Sequence, residues 1–159
     1  MIQAELSRRA FLRSSGAAMK ASCITLTFPM VLTACSRANE TRLNGEDFAA
    51  LSAVEAREYD AIAARIIPSD ETPGAREAGA VYFIDNVIDD AFERQKQTLR
   101  SGLADLQANT AALYDTALFA DLTPVQQDSL LTQIEDTEFF ATIRFLVIAA
   151  MFSLPEYGG

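Results

Sequence analysis

Apolar residues recur along much of the chain at steps of three and four, the spacing of one face of an α-helix and not of a strand. The first clear stripe follows Ser52 and Glu55, which form a capping box at a helix start. Its apolar residues are Tyr59, Ile62, Ala63, Ile66 and Ile67. Pro68 cannot continue this helix and should end it. The pattern predicts an all-α fold.

Two more helices are predicted beyond a turn-rich segment that contains Pro73 and Gly74, the glycine being suited to a positive φ. The second helix has an apolar face, formed by Val81, Ile84, Val87, Ile88, Ala91 and Phe92. Its acidic residues, which should lie largely on the opposite face, are Asp85, Asp89, Asp90 and Glu93. The third helix has a buried seam of Leu99, Leu103, Leu106, Thr110, Leu113 and Ala117. This part of the chain is therefore predicted to form two amphipathic helices.

The last two helices complete a small bundle of about five. The fourth begins at Thr123 and Pro124, with Gln126 completing a capping pattern. The fifth is capped by Asp136 or Thr137, and its apolar residues from 139 to 152 point in every direction. Such a helix is either the centre of the bundle or a surface that a partner covers. The run is short and contains an arginine, which disfavours a membrane span.

The N-terminal residues 1–34 form an export signal. Arg8 and Arg9, followed by Phe11 and Leu12, carry the twin-arginine signature, which is read by a translocon that exports folded proteins. The apolar stretch that follows is interrupted by Lys20 and is too short to span a bilayer. These residues are therefore assigned to targeting and not to the fold or to a site.

Leu32-Thr33-Ala34-Cys35 resembles the lipobox of bacterial lipoproteins, in which the cysteine is acylated and the chain is cut just before it. The alternative is cleavage after a nearby small residue, with Cys35 a free thiol. Residues 35–47 are polar and are expected to form a flexible tether, and residues 48–159 the helical domain. We expect the mature protein on the periplasmic side of the inner membrane, held by a lipid anchor or by a partner.

Chain length and net charge limit the number of domains and the classes of partner that we expect. The 124 residues after Cys35 fit one small domain, and they contain nine basic and 21 acidic residues, a net charge of −12 compared with −9 for the whole chain. Phosphate backbones should repel such a protein, so we expect no nucleic-acid partner. An acidic surface would suit a basic protein partner.

Few groups suited to catalysis are present. The chain has no histidine, no Cys-x-x-Cys-His and no Gly-x-Gly-x-x-Gly, so common general bases, haem attachment and dinucleotide motifs are missing. Asp85 and Asp89, one helical turn apart, could hold a proton or a hard cation, but a solvated acidic face is the favoured interpretation. We therefore expect no catalytic residue, cofactor or metal in this chain.

Five segments carry a combined motif: Ile66-Ile67-Pro68-Ser69-Asp70-Glu71-Thr72-Pro73-Gly74-Ala75-Arg76-Glu77-Ala78-Gly79-Ala80, Phe83-Ile84-Asp85, Phe139-Phe140, Ile143-Arg144 and Pro155-Glu156-Tyr157-Gly158-Gly159. Together these segments resemble the gluconate 2-dehydrogenase subunit 3 family. Relatives usually continue past the position of Gly159, which leaves the C-terminal part of docking open.

The resemblance implies a non-catalytic small subunit. Its partner would be a large flavoprotein of the glucose-methanol-choline (GMC) type that carries FAD and oxidises a sugar, polyol or sugar acid, often with a multihaem cytochrome c. The small subunit would carry this partner through the twin-arginine translocon and support its folding. Partner contacts are expected in the 68–75 loop, in the last helix and at the C-terminus. The candidate residues are Pro68, Asp70, Pro73, Gly74, Phe139, Phe140, Arg144 and Tyr157.

Two other functional classes compete with this interpretation. A free-standing periplasmic lipoprotein could bind a protein or ligand with no redox role. A self-sufficient carboxylate enzyme is disfavoured, because histidine is missing and the fold is small. Asp70 has its own structural alternative, since it could simply brace the turn before Pro73 and Gly74.

Overall fold

The computed structural model describes residues 28–45, 47–90 and 93–153. This part of the chain contains one 3-10 turn at Phe119–Asp121 and six α-helices, without any strand. The helices are α1 Phe28–Asn44, α2 Ala53–Ile66, α3 Ala80–Asp90, α4 Glu93–Leu113, α5 Pro124–Gln133 and α6 Glu138–Ser153. The predicted all-α fold is confirmed, and α1 precedes the five helices expected from the pattern.

Helix starts are fixed by the side chains that the sequence indicated. At α2 the Ser52 hydroxyl accepts a hydrogen bond from the Glu55 N–H at 3.2 Å, and the Glu55 carboxylate accepts from the Ser52 N–H at 2.9 Å. At α5 the Gln126 side chain accepts from the Thr123 N–H at 2.9 Å. Thr137 supplies the capping oxygen at α6. These partners satisfy N–H groups that a helix start leaves without acceptors.

Helix α6 is the centre of the bundle, because it packs against α1, α2, α3 and α4. Ile143, Leu146 and Val147 have no exposed surface, which agrees with a helix that is apolar around most of its circumference. The outer stripe is not covered by described residues, since Ile148 is 40% and Phe152 71% exposed. The central position of the helix is therefore confirmed, and cover of its exposed side by a partner stays a prediction.

The contact between α4 and α6 depends on a glycine. Phe139 lies directly over Gly102, where an added Cβ would lie 2.2 Å from the Phe139 Cγ. Alanine is the better helix former, but here it would force the buried ring to move. On both sides of this contact the predicted α4 seam is buried at Leu99, Leu103, Leu106 and Thr110, whereas Leu113, the last residue of the helix, is 57% exposed.

Asp85 contradicts the expectation of a solvated acidic face. Its side chain is buried, and its carboxylate accepts hydrogen bonds from the N–H groups of Ala49, Ala50 and Leu51 at 2.8, 2.9 and 2.9 Å. Asp89 is exposed, as predicted. Helix periodicity put both residues on the outer face, but the segment before α2 folds over Asp85 and brings three donors to it. A buried carboxylate needs such donors.

A second buried carboxylate was not singled out from the sequence. Glu58 in α2 is completely buried and accepts hydrogen bonds from the N–H groups of Phe119 at 3.2 Å and Ala120 at 3.0 Å. The Gln107 amide donates to the same carboxylate at 3.5 Å. Glu58 thereby fixes the 3-10 turn between α4 and α5 against α2.

The segment predicted to be a flexible tether is helical in the structure as far as Asn44. Helix α1 runs through this segment, with Ala34 and Ala38 buried one turn apart. It packs against α3 and α6, and the Arg42 guanidinium donates to the Glu77 carbonyl at 3.3 Å. Polar composition suggested a tether, but two small residues are enough to give a helix one packing face.

Two predictions made from the N-terminal sequence concern positions that the structure does not describe. Arg8, Arg9, Phe11 and Leu12 lie outside the described residues, as does the side chain of Cys35. None of the helices within the described ranges is long and apolar enough to cross a bilayer.

We predict that Asp85→Asn lowers the free energy of unfolding by about 2–4 kcal/mol, because at least one buried N–H loses its acceptor and the charge is removed. Urea denaturation followed by circular dichroism measures the change. Asp89→Asn, one turn further along the same helix, is the matched control and should change stability by less than about 0.5 kcal/mol. Equal effects of the two substitutions would contradict the role given to Asp85.

Candidate docking surface

The connection between α2 and α3, residues 67–79, is folded back on itself. Helix α2 ends before Pro68, and the Ala75 N–H donates to the Ile67 carbonyl at 2.9 Å, which closes the connection at its base. Ala75 is fully buried, whereas Asp70 and Pro73 are exposed. The connection therefore presents its tip to solvent on a fixed base.

Asp70 braces the tip of this connection. Its carboxylate accepts hydrogen bonds from the Thr72 N–H at 2.8 Å and from the Thr72 hydroxyl at 2.9 Å. These bonds lower the pKa of Asp70, with the backbone donor the larger cause. The structural alternative stated for Asp70 is thus confirmed, and its exposed position leaves partner contact as a prediction.

A second carboxylate fixes the other side of the connection. The Ser69 hydroxyl donates to the Glu77 carboxylate, and the Gly74 N–H donates to the same oxygen at 3.2 Å. The bond from Ser69 is the main reason that the pKa of Glu77 lies below its ordinary value. The two carboxylates together hold an exposed loop in one conformation.

Gly74 is required for a reason other than the predicted one. Its φ is not positive, whereas Gly79 at the start of α3 has a φ of 74°. A Cβ at Gly74 would lie 2.6 Å from both the Ile67 carbonyl oxygen and the Ser69 nitrogen. The loop backbone passes so close to the end of α2 that no side chain fits between them.

An open cleft of about 390 Å³ lies beside this connection, between the end of α2, α5 and α6. It begins at Ile66 and includes Phe140 and Arg144 of α6, and we call it the α5–α6 cleft. On its rim the Arg65 guanidinium makes two hydrogen bonds of 2.7 Å to the carboxylate of Asp128. The predicted helix thus lines this cleft, and the predicted loop begins just after Ile66, which also lines it.

The structure separates the predicted contact residues into three groups. Phe140 and Arg144 line the α5–α6 cleft, whereas the loop residues Pro68, Asp70, Pro73 and Gly74 do not line it. Phe139 is only 6% exposed and packs in the core. Tyr157 lies outside the described residues.

Metal-binding geometry is not found in the described part of the chain, where no three histidine, cysteine, aspartate or glutamate side chains come together. The Asp85 carboxylate that could have bound a cation is occupied by three N–H groups. Asp89, its suggested partner, is exposed one turn away. Asp85 therefore stabilises the fold, whereas Asp89 faces solvent.

Comparison with known proteins identifies the family. A family model described as gluconate 2-dehydrogenase subunit 3 matches residues 53–159. The chain belongs to this family. The match covers α2 to α6 and hence both the 67–79 connection and the α5–α6 cleft, and the resemblance drawn from the sequence is confirmed. No curated protein and no solved structure gave a match.

Membership in the gluconate 2-dehydrogenase subunit 3 family makes the chain a component of a dehydrogenase complex. The matched part of the chain begins at α2, after α1 and after the segment that Asp85 holds.

We predict that Ser69→Ala raises the pKa of Glu77 towards its ordinary value of 4.5, because the strongest of its hydrogen bonds is lost. Carboxyl-carbon NMR titration measures both loop carboxylates. Because the folded pKa is lowered, the stabilisation from Glu77 is present above the ordinary value and is lost as the pH falls through the folded pKa. As a control, Thr72→Val should raise the pKa of Asp70 and leave Glu77 unaffected; an unchanged Glu77 in Ser69→Ala would contradict the assignment.

Proposed function

We propose that this protein is the non-catalytic small subunit of an exported, flavin-dependent dehydrogenase of the GMC type that acts on a sugar, polyol or sugar acid. The match of residues 53–159 to the subunit 3 family is the observation that carries the proposal. The catalytic flavoprotein would hold the FAD, and a multihaem cytochrome c would accept the electrons in complexes that contain one.

Export of the complex is the second part of the proposal. The twin-arginine signature suits a route that accepts folded cargo, so a flavoprotein without its own signal could cross the membrane bound to this subunit. The complex would then lie on the periplasmic side of the inner membrane. Acylation at Cys35, or a membrane-held partner, would keep it there.

The α5–α6 cleft together with the 67–79 connection is the docking surface we propose for the flavoprotein. Arg144 is exposed and makes no ion pair with any residue in the described ranges, and the half-buried Phe140 lines the same cleft. An arginine beside an aromatic ring is a common kind of interface anchor. The rigid loop next to it offers backbone groups and the exposed Asp70 at a fixed position.

Replacing the paired arginines tests the carrier role. We predict that Arg8→Lys with Arg9→Lys leaves both this subunit and a co-expressed flavoprotein in the cytoplasm, because the translocon reads the guanidinium pair. Cell fractionation with flavin fluorescence and dehydrogenase activity locates both proteins. Arg13→Lys is the control and should leave export unchanged. A flavoprotein that still reaches the periplasm with the double variant would contradict the carrier role.

Charge reversal tests the docking surface. We predict that Arg144→Glu weakens the complex with the flavoprotein by about tenfold or more, since an interface anchor of this kind contributes roughly 2 kcal/mol. Affinity purification followed by measurement of the flavin-to-protein ratio gives the readout. Arg100→Glu, which changes another exposed arginine outside the cleft, is the control. The surface would be misassigned if both variants retained the partner equally.

A further inference from the structure

A second cleft opens beside the first half of α2. Its volume is about 380 Å³, and arginines from three separate elements line it together with two aromatic rings and one carboxylate. We call it the arginine cleft, and its polar and aromatic residues are Arg42, Arg57, Arg76, Phe48, Tyr82 and Asp60. Arg42 lies in α1, Arg57 in α2 and Arg76 in the 67–79 connection. Tertiary packing alone brings these side chains together.

The arginine cleft has a charge opposite to that of the protein. The chain has a net charge of −9, and only nine lysine or arginine residues follow Cys35. Three of them line this one cleft. Among the residues that line the cleft, Asp60 carries the one negative charge, while Asp121, which pairs with Arg57, and Glu77, which lies near Arg76, stand outside the lining. The lining therefore carries more positive than negative charge on an otherwise acidic molecule, and such a surface attracts negative groups.

Two arginines of the cleft, Arg76 and Arg57, are available to another anion. The Arg76 Nε lies 2.7 Å from an Asp60 oxygen, but the Arg76 side chain is 54% exposed. Arg57, which pairs with Asp121, is 57% exposed. Exposed ion pairs of this kind are weak, and a guanidinium has five donors, of which each of these pairs uses few. A carboxylate from outside can therefore add to these pairs or replace them.

One wall of the cleft is apolar and firmly held. The rings of Phe48 and Tyr82 stack with their centroids 5.1 Å apart and their planes at 28°. Phe48 directly precedes the three N–H groups that the buried Asp85 carboxylate accepts, so its backbone is held next to α3. Tyr82 belongs to α3 itself. The cleft accordingly offers a rigid aromatic platform beside three guanidinium groups.

We propose that the arginine cleft binds an acidic segment of a partner protein, with carboxylates on the arginines and an apolar side chain on the Phe48–Tyr82 platform. A small free anion fits less well, because the cleft is open and its guanidinium groups stay hydrated, so a single contact gains little. A segment that reaches several arginines and the platform together gains from each contact. Nucleic acid is disfavoured by the net charge of the molecule. The proposal rests on the proposed function only for the identity of the partner.

Peptide binding to the purified full chain tests the cleft. The probe is a fluorescein-labelled decapeptide of aspartate and glutamate with one phenylalanine, and the matched peptide has asparagine and glutamine in place of the acids. We expect anisotropy to show binding of the acidic peptide, weakening with added salt, and about tenfold weaker binding of the neutral one, since two or three charge-assisted contacts are lost.

Paired substitutions locate the binding. Arg57→Gln with Arg76→Gln should weaken binding of the acidic peptide about tenfold, and Arg57→Lys with Arg76→Lys, which keeps the charge, should weaken it less. Arg100→Gln removes an equally exposed arginine that pairs with Glu55 outside the cleft and should change the affinity less than about twofold. All three arginine side chains are exposed enough that the fold should survive, which circular dichroism verifies.

Three results would overturn the proposal. They are no binding of the acidic peptide, equal weakening by Arg100→Gln, and displacement of the peptide by inorganic phosphate at concentrations that would indicate a small-anion site. Capture of a flavoprotein by the wild-type subunit is measured separately. If no flavoprotein is captured but the peptide still binds through Arg57 and Arg76, the proposed function fails and the cleft assignment stands. If the flavoprotein is captured and the peptide does not bind, the cleft assignment fails and the proposed function stands.

Discussion

Two buried carboxylates hold together the parts of this bundle that are not helical. Asp85 accepts three backbone N–H groups from the segment before α2, and Glu58 accepts two from the 3-10 turn before α5. A buried carboxylate without donors would strongly destabilise the fold, and backbone N–H groups without acceptors would destabilise it too. The hydrogen bonds between these carboxylates and N–H groups remove both costs. The two carboxylates therefore hold these connecting segments against the helices.

These fixed segments shape the surfaces on which the function is proposed to depend. The segment held by Asp85 places Phe48 against Tyr82, which forms the wall of the arginine cleft. The turn held by Glu58 contains Asp121, the partner of Arg57. Between the two clefts, the 67–79 connection is braced by its own carboxylates. A subunit that recognises a partner through rigid clefts loses little conformational freedom on binding, which favours affinity.

The sequence predicted the helices better than the sites. Capping boxes at Ser52 and Thr123 and the ending at Pro68 are local signals, because each depends on residues only a few positions apart. The family resemblance located the 67–79 connection by its motif. The arginine cleft had no such signal, since its three arginines are far apart in sequence. Asp85 was assigned to solvent because helix periodicity describes one helix and not the segment that folds over it.

The sequence by itself determined the helical class, the main helix boundaries and the family, because these depend on short-range spacing and on motifs. Tertiary structure alone decided that Asp85 and Glu58 are buried acceptors, that Gly102 makes room for Phe139, and that residues from α1, α2 and the 67–79 connection form one positive cleft. The physical reason is that burial and electrostatic environment depend on which distant segments pack together. Such long-range contacts leave little trace in the pattern of a single helix.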